Sequence, residues 1–265
     1  MEICKVCSGI SIYFDESVVL NYNAKYLMCK NCGSIQIHEP HWIEEAHGDA
    51  IANLDVGLVS RTLVAGRLIL TFLRFQRSKN IEGVDWGGGT GLLTRMLRDC
   101  GLNVFSYDKY ATQYLAHGFI INQNSLSKPM TFISAIECFE HLVNPLIDLG
   151  EAAKNKSYMI LTTETTPNPS VKPSSKNWWY YMPETGQHIT FASSKGIKIF
   201  GELLEFPNYL RVGDMHFFSK NKITLMNKVV MRSSVLRTIF LILVPEYFRR
   251  RYSLIDQDKQ KILGI

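Results

Sequence analysis

The fold is decided by residues 84–91, which read Val-Asp-Trp-Gly-Gly-Gly-Thr-Gly. The residues around Glu82 to Trp86 predict a short strand, and Leu92 to Cys100 predict a helix that Gly101 ends. Glycines allow positive φ angles and leave room for a ligand against the backbone, while N–H groups at a helix start face polar or anionic ligands. This succession of strand, glycine turn and helix predicts a binding site at the carboxyl ends of a parallel sheet.

The middle of the chain continues the alternation of strands and helices. Further strands are predicted at Asn103 to Asp108, Gly118 to Ile121, Thr131 to Glu137, Ser157 to Thr163 and Gly213 to Ser219, and further helices at residues 57–76, Pro145 to Lys154 and Lys195 to Leu204. This rhythm predicts the fold class α/β, with a Rossmann-like doubly wound sheet that is mostly parallel and covered on both faces.

The glycine turn lacks the signature of a phosphate-binding loop. No Gly-Lys-Ser/Thr follows it, and the third glycine of a dinucleotide fingerprint is misplaced. Asp85, directly before the turn, would repel a pyrophosphate but suits a cationic amino-acid ligand. Asp108 ends the next strand 23 residues later, where a carboxylate can accept both hydroxyls of a ribose.

Over roughly residues 57–220 this pattern resembles the class I S-adenosylmethionine-dependent methyltransferases. Their first motif is an acidic residue followed by G-x-G-x-G, and their second acid ends strand two; Asp85 and Asp108 match these acids. The resemblance implies that Asp85 reaches the ammonium of S-adenosylmethionine, directly or through water, and that Asp108 holds its ribose hydroxyls. It also implies that the methionine part lies against Gly87, Gly88, Gly89 and Gly91.

The predicted strand that ends near Glu137 leads into Glu137-Cys138-Phe139-Glu140-His141, and this E-x-x-E-H spelling is found in many class I methyltransferases. His141 is a candidate general base, with Glu140 beside it, because an unperturbed imidazole has a pKa near 6.5. Alternatively, Glu137, Glu140 and His141 bind a divalent metal, with His188 as a further ligand and Mg²⁺, Mn²⁺ or Zn²⁺ as the ion. A third interpretation gives Glu137 to the cofactor and makes Glu140 and His141 structural caps.

Four cysteines form two pairs, Cys4-x2-Cys7 and Cys29-x2-Cys32, separated by 21 residues. Two such turns complete a tetrahedral four-cysteine zinc site, and a hairpin can close the spacer. A redox pair is the alternative, but two copies argue against it. So short a segment buries little apolar surface, so zinc is expected to supply much of its folding energy. The sequence therefore predicts a small zinc-ribbon-like module over residues 1–45, the methyltransferase domain over 46–220 and a basic helical extension over 221–265.

The remaining histidines and cysteines have no comparable context. We expect the two single cysteines to be small buried residues and the other histidines to be surface or locally satisfied residues: Cys100, Cys138, His38, His41, His47, His117 and His216.

Two segments flank or interrupt the predicted domain. Residues 164–190 carry four prolines and four large aromatic residues, Trp178 to Tyr181, which we interpret as a substrate lid, with a packed surface loop as the alternative. Lys220 to Arg251 contains eight basic residues and one acid, so it alone carries a net charge of +7 while the whole chain carries +5. Its apolar stretch is favoured as a helix packed on the domain, with an anionic membrane surface, a phosphorylated substrate or RNA as alternative partners.

Composition excludes other classes. At 46% apolar and 20% charged residues the chain is not mainly disordered. The strongest apolar run, Ile239 to Val244, is far shorter than the roughly 20 residues of a spanning helix. The start of the chain shows no signal peptide, so we expect a cytoplasmic protein with reduced thiols.

These observations predict methyl transfer from S-adenosylmethionine to a hydroxyl of a small polar acceptor. The first candidate is a sugar or nucleotide-sugar of surface-polysaccharide or secondary metabolism, because the paired cysteines ahead of such a domain also resemble sugar C-methyltransferases. Those enzymes carry a further large C-terminal domain, and only about 45 residues follow Ser219 here. One alternative is an RNA-modifying methyltransferase that binds RNA through the zinc module and the basic segment. The other is a cofactor-binding or interaction module without catalysis. The sequence makes no prediction of oligomeric state.

Overall fold

The computed structural model describes residues 1–46, 56–76, 80–168 and 170–264, so the prediction for His47 lies outside the described residues. The strands are β1 (Glu2–Ile3), β2 (Ile10–Val19), β3 (Tyr22–Cys29), β4 (Ile35–Ile37), β5 (Glu82–Trp86), β6 (Asn103–Tyr107), β7 (Met130–Ala135), β8 (Lys156–Thr162), β9 (Thr190–Phe191), β10 (Asn208–Val212) and β11 (Met215–Ser219). The α-helices are α1 (Ile43–Ala46), α2 (Leu58–Phe75), α3 (Leu92–Asp99), α4 (Pro145–Ala153), α5 (Ser194–Leu203), α6 (Leu225–Arg232), α7 (Ser234–Tyr252) and α8 (Ile255–Leu263).

The large sheet has the strand order β10-β11-β8-β7-β5-β6. Strands β6, β5, β7 and β8 are parallel, while β11 runs antiparallel to both β8 and β10. The predicted fold class is therefore confirmed. The predicted strand from Gly118 to Ile121 is reduced to one parallel bridge, between Ser106 and Ile120.

Both faces of the large sheet are buried. Successive residues of its strands point to opposite sides, and each side packs against helices. Phe132 packs in the cluster that contains residues of α2 and α3, while its neighbour Ile133 packs with residues of α4 and α5. In the same way, Phe217 packs in the cluster with α2 and α3, and Phe218 packs in the cluster with α4 and α5. This explains why these strands read as continuous apolar runs in the sequence.

The small sheet is antiparallel, with the order β1-β2-β3-β4-β9. Its β2–β3 hairpin is the predicted connection between the two cysteine pairs. Its last strand comes from much later in the chain, since Ile35 pairs with Phe191 and Gln36 with Thr190. The division at residues 45 and 220 remains a prediction, but the small sheet is complete only with residues from beyond the first boundary.

The C-terminal segment forms α6, α7 and α8 along the side of the sheet that carries α2 and α3. The sequence favours a packed helix for the apolar stretch, and α7 packs along one face only. Val244 is its only fully buried residue, and Ile239, Ile242 and Leu243 are exposed. Among the described residues no helix is long and apolar enough to cross a membrane.

Candidate active site and cysteine cluster

A cleft of about 1130 Å³ lies at the carboxyl ends of the parallel strands, where the glycine turn predicts a site. Its lining combines residues that are far apart in the sequence, from the start of α2 to Trp179 in the loop over residues 164–190, which we call the aromatic loop. Its charged lining residues are six acids and two bases: Asp85, Asp108, Glu137, Glu140, Asp148, Glu151, Arg61 and Lys109. The lining is therefore predominantly acidic.

The glycine turn is held close to the neighbouring strand. The N–H groups of Gly87 and Gly88 both donate to the Tyr107 carbonyl, at 2.8 and 3.1 Å. Gly91 has a φ of +83°, and a Cβ there would lie 2.7 Å from the Ala116 backbone nitrogen, so only glycine fits. Gly89, with a φ of +56°, faces open space. The turn thus presents bare backbone to the cleft.

Asp85 lies under the turn and is only 2% exposed. Its Oδ1 accepts a hydrogen bond from the Ser134 hydroxyl at 2.9 Å, which orients the carboxylate. Burial, with a smaller contribution from the nearby Asp108, raises the pKa of Asp85 to about 7. A cation placed above the turn would favour the ionised form of this group.

Asp108 stands at the end of β6, level with the turn. Its Oδ2 accepts the Gly89 N–H at 2.9 Å, and its Oδ1 accepts the N–H groups of Tyr110 and Ala111 at 2.8 and 2.7 Å. These bonds fix the carboxylate at the mouth of the cleft. Each oxygen has two lone pairs, so Oδ2 retains acceptor capacity for a ligand hydroxyl.

Glu137 adopts a left-handed backbone conformation, with a φ of +53°. For a residue other than glycine this conformation costs free energy, and such residues cluster at functional sites. The Thr162 hydroxyl donates to Oε1 at 2.6 Å, and Arg61 lies 3.2 Å from Oε2. Burial and the neighbouring Glu140 raise the pKa of Glu137 to about 7.

Glu140, His141 and His188 form a compact group of possible ligands, in which one atom from each lies within 4.8 Å of the others. His188 comes from the aromatic loop, which the Ile189 N–H fastens to the Glu140 carbonyl at 2.8 Å. Glu137 is not part of this group, so the structure brings together three of the four residues of the predicted metal set.

The charges in this group are set by burial. Glu140 is 1% exposed, and neither carboxylate oxygen accepts a hydrogen bond at normal distance from the described residues. Burial raises its pKa to about 7. Burial also lowers the pKa of His188 to about 4, so this imidazole is neutral. Its Nδ1 lies 2.7 Å from the Tyr180 carbonyl and must donate to it, which leaves Nε2 as an acceptor or ligand.

The aromatic loop is less of a lid than its sequence suggests. Trp178, Tyr180 and Tyr181 are buried and pack with Tyr26 and Phe191 of the small sheet. Trp179, 59% exposed, lines the cleft and is free to contact a ligand. The loop therefore joins the small sheet to the cleft, and Trp179 is its candidate acceptor contact.

The four paired cysteines converge, and all are buried. The Sγ atoms of Cys4 and Cys32 lie 3.8 Å apart, and those of Cys7 and Cys29 lie 3.5 Å apart. Tetrahedral zinc with Zn–S bonds of about 2.3 Å requires sulfurs about 3.8 Å apart. The donor set and its spacing therefore fit a structural zinc ion. Cys100 and Cys138 are buried away from the cluster, as expected.

Sequence reasoning missed Arg61. It lies on α2, 76 positions before the glutamate that it contacts, and nothing in the surrounding pattern distinguishes it from a surface arginine. His216 is locally satisfied as expected, since its ring nitrogens face the Tyr209 hydroxyl at 2.7 Å and the Thr163 carbonyl at 3.1 Å.

The model of the family described as "Methyltransferase domain" matches residues 61–201, more than half of the chain. A search of curated proteins found no significant match.

Several solved methyltransferase structures are similar to this chain at low identity. The magnesium protoporphyrin IX methyltransferase of Synechocystis PCC 6803 is 12% identical, with a TM-score of 0.44 over 67% of this chain and 89% of that one. A possible histamine N-methyltransferase of Thermotoga maritima is 12% identical, with a TM-score of 0.43 over 68% and 100%. The mitomycin 7-O-methyltransferase is also 12% identical, with a TM-score of 0.45 over 59% and 52%. The chain thus spans about half the length of this last relative.

Proposed function

Because this chain belongs to the methyltransferase domain family and is an S-adenosylmethionine-dependent methyltransferase, we propose that it methylates a hydroxyl of a small polar acceptor, with a sugar as the first candidate. The observation that carries the proposal is that the glycine turn, Asp85 and Asp108 line the same cleft as Glu140, His141 and His188. A donor and an acceptor can therefore meet in one cavity, as in-line transfer requires.

The proposed donor site uses the turn and both aspartates. The ammonium of S-adenosylmethionine lies toward Asp85, whose buried carboxylate is ionised by a nearby cation. The ribose hydroxyls donate to Asp108 at the cleft mouth. The methionine part lies along Gly87, Gly88, Gly89 and Gly91, with Glu137 at the inner end of the site.

The proposed acceptor site lies at Glu140, His141 and His188. In one form, His141 takes the proton of the acceptor hydroxyl while Glu140 stabilises the imidazolium. In the other, these three residues hold a divalent ion that would lower the pKa of the bound hydroxyl. The close approach of Glu140, His141 and His188, and the His188 Nε2 that the Nδ1 contact leaves as a ligand atom, support the second form as an alternative.

The charge of the cleft bears on the acceptor class. Six acids against two bases favour neutral or cationic molecules over phosphate groups, even with the raised pKa values of some of these acids. RNA is disfavoured in addition because the basic helices α6 and α7 pack near Phe75 and Cys100, which do not line the cleft. Trp179 offers an aromatic face for the apolar side of a sugar ring.

The first prediction concerns Asp108. We expect Asp108→Ala to weaken S-adenosylmethionine binding by about 10- to 100-fold, because hydrogen bonds to a charged group contribute about 1.5–3 kcal/mol. Isothermal titration calorimetry measures the change. Asp256→Ala, an exposed aspartate in α8, is the matched control and should bind like the wild type. Unchanged affinity in Asp108→Ala would remove this donor site.

The second prediction concerns pH. The pKa of Asp85 is about 7 without ligand, and a bound ammonium lowers it, so binding releases a proton below pH 7. Affinity for S-adenosylmethionine should therefore fall as pH decreases, by about tenfold between pH 8 and pH 6. The Asp85→Asn variant should bind more weakly and lose this dependence. A wild-type affinity that is flat over this range contradicts the assignment of Asp85.

The third prediction concerns His141. Replacing this residue by alanine should lower kcat by about 10²–10⁴-fold, the usual contribution of a general base, while S-adenosylmethionine affinity stays within about twofold. Metal analysis separates the two forms of the acceptor site. One zinc per chain, at the cysteines, supports the base, whereas a second ion that disappears in His188→Ala supports the metal. Full activity in His141→Ala would contradict both forms, and a wild type that methylates no hydroxyl acceptor would contradict the proposed acceptor class.

A further inference from the structure

Helix α7 carries an apolar stripe on the side that faces away from the domain. The stripe consists of residues that are 45–67% exposed and recur at intervals of three or four: Val235, Ile239, Ile242, Leu243 and Tyr247. This spacing places them on one face of the helix. The neighbouring helix α6 also exposes apolar residues, namely Leu225, Met226 and Val229.

The opposite face of α7 accounts for its packing on the domain. Phe240, Leu241 and Phe248 are partly buried against the cluster that contains Val244 and residues of α2. The Phe240 ring meets Phe75 edge-on, with centroids 5.1 Å apart. The orientation of the helix is thus set by its inner face, and the outer stripe is apolar without contributing to the core.

The stripe is flanked by positive charge at both ends. Arg249, Arg250 and Arg251 follow it, and Lys228 and Arg232 of α6 precede it. Glu246 is the one acid in the +7 segment, and it pairs with Arg249 and Arg250 at 3.1 and 2.7 Å. The surface therefore combines exposed apolar side chains with an excess of basic groups, and Tyr247 and Tyr252 lie beside the arginines.

Charge decides between the possible occupants of this surface. A second copy of the chain would bring two segments of +7 together, and the repulsion would oppose the contact. An anionic lipid surface attracts the same arginines and lysines and takes up the apolar stripe at the level of the headgroups. We propose that α6 and α7 dock this protein on the surface of an anionic membrane, lying along it and not spanning it.

The position of the stripe allows docking on a membrane without blocking the cleft. Helix α7 contacts the domain at two points that lie just before strands. Phe75, which meets Phe240 of α7, is at the end of α2 and precedes β5. Gly101, where an added Cβ would lie 2.4 Å from the carbonyl oxygen of Tyr252 in α7, precedes β6. Helix α7 therefore runs at the amino-terminal edge of the sheet, opposite the cleft. A docked protein keeps its cleft open to water, and the docking is independent of the proposed methyl transfer.

Co-sedimentation of the full-length, zinc-loaded protein with vesicles tests the proposal. The probes are phosphatidylcholine vesicles with and without about 30% phosphatidylglycerol. We expect binding to the anionic vesicles that falls with added salt, and little binding to pure phosphatidylcholine. The double variant Ile242→Ser/Leu243→Ser should bind at least about tenfold more weakly, because it removes two inserting side chains.

Two further variants keep the test decisive. The double variant Arg250→Gln/Arg251→Gln should weaken binding to anionic vesicles about 25-fold, because each charge contributes about a factor of five. This variant tests the proposal even if the apolar variant folds poorly. The matched control Ile10→Ser/Val18→Ser changes two side chains of 57 and 58% exposure in the small sheet and should bind like the wild type.

The proposal is overturned by equal binding of all variants or by no binding to anionic vesicles. It is also overturned if sedimentation velocity without lipid shows a dimer that Ile242→Ser/Leu243→Ser dissociates, or if the arginines are needed for tight binding to a single-stranded RNA but not to vesicles.

Discussion

Cys29→Ser will abolish zinc binding at the cysteine cluster and unfold the small sheet. The expected loss is large because structural zinc sites contribute about 10–16 kcal/mol of apparent binding free energy. Elemental analysis should find about one zinc per wild-type chain and none in the variant. Circular dichroism should show loss of the β2–β3 hairpin.

The effect should extend to the cleft. Strand β9 pairs with β4, and the Ser193 N–H donates to Ser34, two residues after Cys32, at 3.0 Å. The segment that carries His188 is therefore fixed on one side by the cysteine module, and its loss should disorder the acceptor site. We expect turnover to fall at least about tenfold in the variant, by misplacement of catalytic groups.

Cys100→Ser is the matched control for this experiment. Cys100 is buried like the cluster cysteines but lies between α3 and α7, so its replacement should leave the zinc content at one ion. A wild-type protein without metal, or a Cys29→Ser variant that keeps its metal, stability and activity, would contradict the zinc assignment.

Asp258→Ala will destabilise the whole domain by about 3–5 kcal/mol, because it leaves a buried arginine without its counter-charge. Arg98 donates to both oxygens of Asp258, at 2.8 and 2.7 Å, and Arg95 donates at 2.6 Å. Arg98 and Asp258 have side chains that are 6 and 3% exposed, so solvent screens the pair poorly. The Phe119 ring covers the Arg98 guanidinium at 3.6 Å.

Urea unfolding at neutral pH measures this loss. Asp256→Ala, two residues away on the exposed side of α8, removes the same charge without breaking a buried pair and should change the free energy of unfolding by less than about 0.5 kcal/mol. Similar stability of both variants would mean that α8 is not an integral part of the domain and that the pair contributes nothing net.

The strand–turn–helix pattern around Asp85 could be predicted because its signals are local. An apolar run, four glycines and a helix stop act through residues close in sequence, and residues 82–99 fold as predicted. The same holds for the two cysteine turns and their hairpin. Other features depended on distant partners. The three buried aromatics of the loop looked like a lid in sequence, and only their packing on the small sheet shows that they form core.

By itself, then, the sequence determined the α/β class, the glycine turn with its two aspartates, and the grouping of the four cysteines, since each follows from short-range periodicity or ligand spacing. Only the tertiary structure decided that Glu137 lies outside the group of Glu140, His141 and His188. It alone also decided that Arg61 meets Glu137 and that α7 turns an apolar stripe outward. The physical reason is that side-chain packing and chain closure bring together residues tens to more than a hundred positions apart. No local pattern records which face of an all-apolar helix will be covered.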